Sequence, residues 1–107
     1  DLVLSLMRDR IAACIGTGVR YFEMTKLLNY QPGQFFGLHA DFQAPDTPAL
    51  AREIEEHGQR VMTFLTYLND DYEGGETDFP RTVHAGLPPA SGTKWLLSQW
   101  VRSRPVT

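Results

Sequence analysis

His39-Ala40-Asp41 sets an imidazole and a carboxylate two positions apart. In a strand, residues i and i+2 point to the same face. Both side chains can then reach one metal ion and leave its far side open. Alone, the pair reads equally well as two polar residues on a solvated face. Phe35 in the same phase and Gly37 between them make that face look less wet. A third donor is needed, and two other histidines, His57 and His84, are present. His57 lies in Glu55-Glu56-His57-Gly58, at a predicted helix end. A histidine there complements the helix dipole and is ordinarily structural. His84 lies in Thr82-Val83-His84-Ala85-Gly86, a short extended piece, and is the preferred third ligand.

Two imidazoles and one carboxylate on one side of an octahedral ion form the facial triad of non-haem iron(II) oxygenases. Three positions stay free, enough for a bidentate 2-oxo acid and dioxygen. The same donors suit tetrahedral zinc with one open position, so ligand type alone does not choose the metal. Lys94 discriminates further. It stands ten residues after His84, in a strand phase with Leu96, Ser98 and Trp100. An inward ammonium among apolar neighbours is costly unless an anion meets it. The distal carboxylate of 2-oxoglutarate is such an anion; a stem that snorkels to the rim is the equal alternative. Tyr67 either adds a hydroxyl to that carboxylate or is a plain core aromatic.

The elements that must position these residues follow from periodicity and punctuation. A helix is predicted over 2–15, with Leu2, Leu6, Ile11 and Ile15 on one face and Gly16-Thr17-Gly18 ending it. Cys14, between apolar neighbours, reads as a buried thiol. Residues 19–30 read as a strand, and 34–42 as a second. In the second, Phe35, Gly37, His39 and Asp41 share one side, with Phe36, Leu38, Ala40 and Phe42 opposite. Residues 49–57 read as a short exposed helix closed by Gly58. Residues 60–69 are the strongest strand, dense in β-branched and aromatic types. A turn over 70–75, a short extended piece over 83–85, a loop over 86–92 and a last strand over 93–101 complete the chain. One helix followed by short strands and Gly/Pro turns predicts a mainly antiparallel β structure, a sandwich or jelly roll.

Composition bounds the rest. The 107 residues have room for a single domain over 1–107. A net charge of −3 offers no basic footprint for nucleic acid or an anionic membrane. No apolar run is long enough to span a bilayer. One cysteine allows no intrachain disulfide and points to a reducing cytoplasm.

Taken together, the motifs resemble the catalytic domain of prolyl 4-hydroxylase-like 2-oxoglutarate- and Fe(II)-dependent dioxygenases, the compact bacterial type in particular. The matching pieces are Leu28-Asn29-Tyr30-Gln31-Pro32-Gly33-Gln34-Phe35, His39-Ala40-Asp41-Phe42, the run from Thr66 to Pro80 through Gly74-Gly75-Glu76-Thr77, Val83-His84-Ala85-Gly86-Leu87-Pro88, Gly92-Thr93-Lys94-Trp95 and Trp100. They stand in the family's order and cover most of the chain from Tyr21 onward.

The resemblance implies a double-stranded β-helix, a jelly-roll core with flanking helices. It implies His39, Asp41 and His84 as iron ligands, with no catalytic residue beyond them. Lys94 would bind the distal carboxylate of 2-oxoglutarate, and Tyr67 and Tyr30 would line that pocket. The cofactors would be Fe(II), 2-oxoglutarate and dioxygen, with ascorbate as an accessory. The reaction would hydroxylate an unactivated C–H bond, of a prolyl or other residue, with release of succinate and carbon dioxide. The substrate would be a protein, peptide or small molecule. The glycines of Gly74-Gly75-Glu76-Thr77 need no more than tight backbone geometry to explain them. One departure stands out: Pro80 runs directly into Arg81, where the family has a longer segment with a strand pair. The core is therefore expected to lack that pair, as a fragment or a shortened domain. An inactive binding module on the same fold is the alternative, and a zinc hydrolase ranks last.

Overall fold

The computed structural model describes residues 1–78 and 84–107, and for residue 38 the backbone only. The expected gap between Pro80 and Arg81 lies outside the described residues. The element order is α1 (Leu2–Ile15), a 3-10 turn (Val19–Tyr21), β1 (Lys26–Tyr30), β2 (Phe36–His39), α2 (Pro48–His57), β3 (Arg60–Tyr67), β4 (Glu73–Gly74), β5 (Thr77–Asp78), β6 (His84–Gly86), β7 (Pro89–Ser91) and β8 (Lys94–Arg102). The structure is mainly β, as expected, and the pairings β1·β8, β2·β6, β4·β7 and β5·β6 are antiparallel. Three sheets run in the orders β1-β8-β3, β2-β6-β5 and β4-β7. The chain forms two compact units, and β3 and β8 each contribute residues to both.

One unit comprises Thr25–Phe42 and Leu65–Ser98. Its backbone is the antiparallel pair β1·β8, with Leu28 opposite Leu96 and Tyr30 opposite Lys94. Alternation along β8 holds from Lys94 to Ser98: Lys94, Leu96 and Ser98 are buried, while Trp95 is exposed. Beyond Ser98 the phase departs from expectation, because Gln99 and Val101 are buried and Trp100 is only partly so. Asn69 pins the entry to β8. Its amide donates to the Thr93 carbonyl at 2.7 Å, and its Oδ1 accepts from the Trp95 N–H at 2.8 Å.

The expected second strand is shorter and carries a bulge. Phe36 faces Gly86 and His39 faces His84, so three steps on β2 match two on β6. The extra residue reverses the side-chain phase. Phe36, not Phe35, therefore shares the face of His39. The expected turn over 70–75 and loop over 86–92 hold the paired strands β4 and β7. Two- and three-residue strands are too short to leave a periodic signal.

The other unit comprises Asp1–Met24, Gln43–Phe64 and Gln99–Thr107. Asp1 caps α1 by accepting from the Leu4 N–H at 3.2 Å, and Gly16, at φ 73°, ends it. Ile11 and Ala12 pack with Phe22 and Val101, joined by Ile15, Tyr21 and Phe64. This core sits beside the C-terminal half of α1, so Leu2 and Leu6 are exposed, contrary to the expected single face. Cys14 is exposed rather than buried. The expected strand over 19–30 begins instead as a 3-10 turn, with Tyr21 and Phe22 N–H bonding back to Gly18 and Val19. That turn delivers Phe22 into the core at 2% exposure. Helix α2 starts at Thr47, whose hydroxyl accepts from the Leu50 N–H, with Pro48 in the first turn. None of its residues is buried, as the sequence suggests.

Charge is buried in this unit. Arg102, 1% exposed, donates to the Gly58 carbonyl and to Glu53 Oε1, each at 2.7 Å. Its Nε lies 3.1 Å from Glu23 Oε2. Arg60 grips Glu23 in a two-pronged pair at 2.7 and 3.0 Å and stacks on Trp100. Burial alone would raise the Glu23 carboxyl; Arg60 and Arg102 more than reverse this and hold it below the usual value. A depressed carboxyl contributes stability above its unfolded-state pKa and loses it as pH falls through the folded one. Glu23→Gln leaves Arg102 and Arg60 short of a counter-charge and should cost about 3 kcal/mol at neutral pH. Urea unfolding across pH checks this: the variant's deficit should shrink in acid, and a constant deficit would rule out the charge pair as its source.

Candidate active site

The residues singled out in the sequence meet in one unit. His39 is the last residue of β2, and Asp41 follows two residues later, outside the strand. His84 opens β6 directly opposite His39. Cross-strand register thus brings the two imidazoles together, and their ring centroids are 4.1 Å apart. Asp41 Oδ1 lies 3.6 Å from His39 Nε2 and 3.5 Å from His84 Nε2. One donor atom from each residue falls within 4.8 Å of the others. Donors at right angles, about 2.1 Å from a divalent ion, stand about 3 Å apart. Small side-chain rotations would close the three donors onto an ion.

The tautomer of His39 is set locally. Its Nδ1 donates to the Gly37 carbonyl at 2.7 Å, which leaves Nε2 as the acceptor that faces Asp41. A ring held through its second nitrogen is the usual support of a metal-binding histidine. The Phe36 ring stands edge-on to His39 at 4.0 Å, a contact that the bulge creates. His57 belongs to the other unit, where its Nδ1 donates to the Pro105 carbonyl at 3.0 Å.

Lys94 is 1% exposed. Its stem does not snorkel: the ammonium donates to the Gly75 carbonyl and lies 5.2 and 5.6 Å from the ring centroids of Tyr30 and Tyr67. Both distances fall within cation–π range. Burial lowers the Lys94 pKa, and the charge of Glu76 works against that shift. Tyr30 is the register partner of Lys94 on β1, and burial, then Tyr67, pushes its phenol up. The Tyr67 hydroxyl is 2.7 Å from Thr77 Oγ1. The structure thus gathers Lys94, Tyr30 and Tyr67 into one group. Sequence reading missed the Gly75 carbonyl and Thr77, since a backbone acceptor leaves no side-chain signature.

With this geometry in place, likeness to known proteins becomes informative. The family model of the 2OG-Fe(II) oxygenase superfamily matches residues 25–82. The chain belongs to that superfamily. Its match contains His39, Asp41, Tyr30 and Tyr67. Prolyl 4-hydroxylase 1 of Arabidopsis thaliana is 30% identical over 95% of this chain and 48% of its own length. The prolyl 4-hydroxylase subunit alpha-1 of Rattus norvegicus is 29% identical over 97% of this chain and 24% of its own. This chain thus spans about half the length of the plant relative and a quarter of the rat subunit. The crystal structure of viral collagen prolyl hydroxylase vCPH from Paramecium Bursaria Chlorella virus-1, as its 2OG complex, aligns with a TM-score of 0.73 at 25% identity. It covers all of this chain and 75% of that one. The fold is thus the expected oxygenase jelly roll, and the likeness to prolyl 4-hydroxylases is shared by sequence and structure. The alignment to the plant protein runs over 142 positions, more than the 107 residues present, so the relative carries residues with no counterpart here.

Asp41 is the hub of the cluster and, among the described residues, its sole carboxylate. Asp41→Asn keeps the shape and removes the charge. Divalent-metal affinity, measured by anaerobic calorimetry with Fe(II), should fall by about a hundredfold. An unchanged affinity would take Asp41 out of the ligand set.

Proposed function

We propose that residues 1–107 form one catalytic domain of a 2-oxoglutarate- and Fe(II)-dependent hydroxylase. We propose further that it acts on a C–H bond of a prolyl or other residue in a protein or peptide. The observation that carries this reading is the pairing of the His39–Asp41–His84 cluster with a buried lysine in the same unit. A metal site alone fits hydrolysis as well as oxidation. A buried ammonium beside two tyrosines suits an anionic co-substrate, which a hydrolase has no need of.

Iron(II) and 2-oxoglutarate, when bound, supply with dioxygen the oxidant for C–H hydroxylation, the oxo acid leaving as succinate and carbon dioxide. The part of this chain is to hold and orient. His39 and His84 would offer Nε2 and Asp41 would offer Oδ1 to a shared ion. Lys94 would meet the distal carboxylate through its ammonium, and Tyr67 would add its hydroxyl, already oriented by Thr77. Tyr30 adds its ring, whose centroid lies 5.2 Å from the ammonium. A module that only binds has no need of all four polar residues together, which argues against the inactive reading. The prolyl preference rests on the two relatives named above, both larger proteins. Among the described residues, no helix is long and apolar enough to cross a membrane. An exposed free thiol at Cys14 favours a reducing, cytoplasmic setting.

Anaerobic titration with Fe(II) and then 2-oxoglutarate tests this. A weak visible charge-transfer band should appear only with both and be lost in His84→Ala. Absence of the band in the unsubstituted protein would overturn the hydroxylase reading. Lys94→Ala should retain the metal yet require at least about tenfold more 2-oxoglutarate, the value of a lost charge-assisted hydrogen bond. An unchanged requirement would remove Lys94 from the pocket.

A further inference from the structure

The Gly74-Gly75-Glu76-Thr77 turn stands out in the sequence, yet the proposed function gives its glycines no role. Both adopt the left-handed region, at φ 73° and 68°. Gly75 is buried, and its N–H donates to the Pro88 carbonyl at 3.2 Å. Its own carbonyl accepts from the Lys94 ammonium. A Cβ on Gly75 would lie 3.3 Å from Lys94 Cδ, tighter than ordinary contact. The glycine thus touches Lys94 twice, through an oxygen at the head and an absent side chain at the stem.

We propose that Gly75 is a positioning residue for Lys94, fixing the ammonium where the distal carboxylate of a dicarboxylic 2-oxo acid will meet it. This rests on the 2-oxoglutarate reading above. A lysine head is a compact charge on a flexible four-carbon stem. Left to itself in a buried setting it turns to the nearest acceptor. The next residue, Glu76, carries a carboxylate whose charge Lys94 feels. An ion pair with Glu76 would neutralise the clamp. A backbone carbonyl holds the cation without cancelling its charge, so the charge stays available to an incoming anion. Glycine is required because the turn needs positive φ and the lysine stem needs the space of the missing Cβ.

Gly75→Asn separates these demands. Asparagine tolerates the left-handed backbone better than other side chains, so the turn is kept while its Cβ presses on the stem. Dissociation constants would be measured anaerobically on Fe(II)-loaded protein for 2-oxoglutarate and for pyruvate, a 2-oxo acid without the distal carboxylate. The variant should bind 2-oxoglutarate about tenfold more weakly, with pyruvate and Fe(II) binding unchanged. Adding the substitution to Lys94→Ala should cause no further loss, as expected when one residue acts through the other. Unchanged 2-oxoglutarate affinity, or an equal loss for pyruvate, overturns the proposal. Should the variant fail to fold, nitrogen-15 NMR of the unsubstituted protein decides. Lys94 ammonium protons protected from solvent exchange before 2-oxoglutarate is added support the proposal, and rapidly exchanging ones overturn it. Failure of the unsubstituted protein to bind 2-oxoglutarate at all would instead overturn the parent reading, and this inference with it.

Discussion

A lysine ammonium shut away from water constrains much of the unit that holds the candidate site. At 1% exposure, Lys94 cannot rely on solvent, and an unmet charge there would shift its equilibrium toward the neutral amine. The chain answers with one carbonyl and two aromatic faces, each delivered by a different device. Antiparallel register sets Tyr30 opposite Lys94. Strand β3 ends at Tyr67, whose hydroxyl is tied to Thr77. The double-glycine turn presents the Gly75 carbonyl. These neighbours are neutral, so none of them cancels the ammonium charge.

The short strand β6 ties the Lys94 group to the His39–Asp41–His84 cluster. Its first residue, His84, faces His39, and its last, Gly86, faces Phe36. Gly86 also lies under Tyr30: a Cβ there would stand 3.2 Å from the Tyr30 hydroxyl and 3.6 Å from Phe36 Cβ. Three residues therefore meet His39 at one end and Tyr30 at the other. A change at Gly86 would press on Tyr30 and on the phenylalanine that braces His39. The two halves of the candidate site are in this sense one packing problem.

Much of this was legible in the sequence, for definable reasons. Both α-helices announced themselves through glycine stops, the first also through its apolar spacing, and β3 through a dense run of β-branched and aromatic residues. His39, Asp41 and His84 were legible by residue type and by elimination among the histidines. Which side chains share a face was harder to read. Strict alternation put Phe35 beside His39, whereas the bulge brings Phe36 there and ends the strand before Asp41. Asp41 reaches the histidines from beyond the strand, so its nearness to His39 is not the i, i+2 alternation of a strand. The Gly75 carbonyl was invisible because the backbone is the same at every position. Strands β4 and β7 were invisible because two or three residues cannot show a period. The exposure of Cys14 and Leu6 reflects where the core sits along α1, which no local pattern records.

Under the proposed function, the two halves divide the work of recognition. A facial set of two imidazoles and a carboxylate grips the oxo-acid end of any small 2-oxo acid, because chelation is indifferent to what lies beyond the keto carbon. Selection has to come from the far end. A ligand without a second carboxylate would enclose Lys94 beside neutral neighbours and leave the ammonium without a counter-charge. A site built to pair a buried polar group rejects analogues lacking the partner far more strongly than an apolar pocket rejects a missing methylene. A lysine held by a carbonyl, and not by Glu76, keeps that discrimination intact, since a pre-paired cation would have nothing to lose when the wrong acid binds. The neutrality of the acceptor at Gly75 is then what turns a buried charge into a selective one.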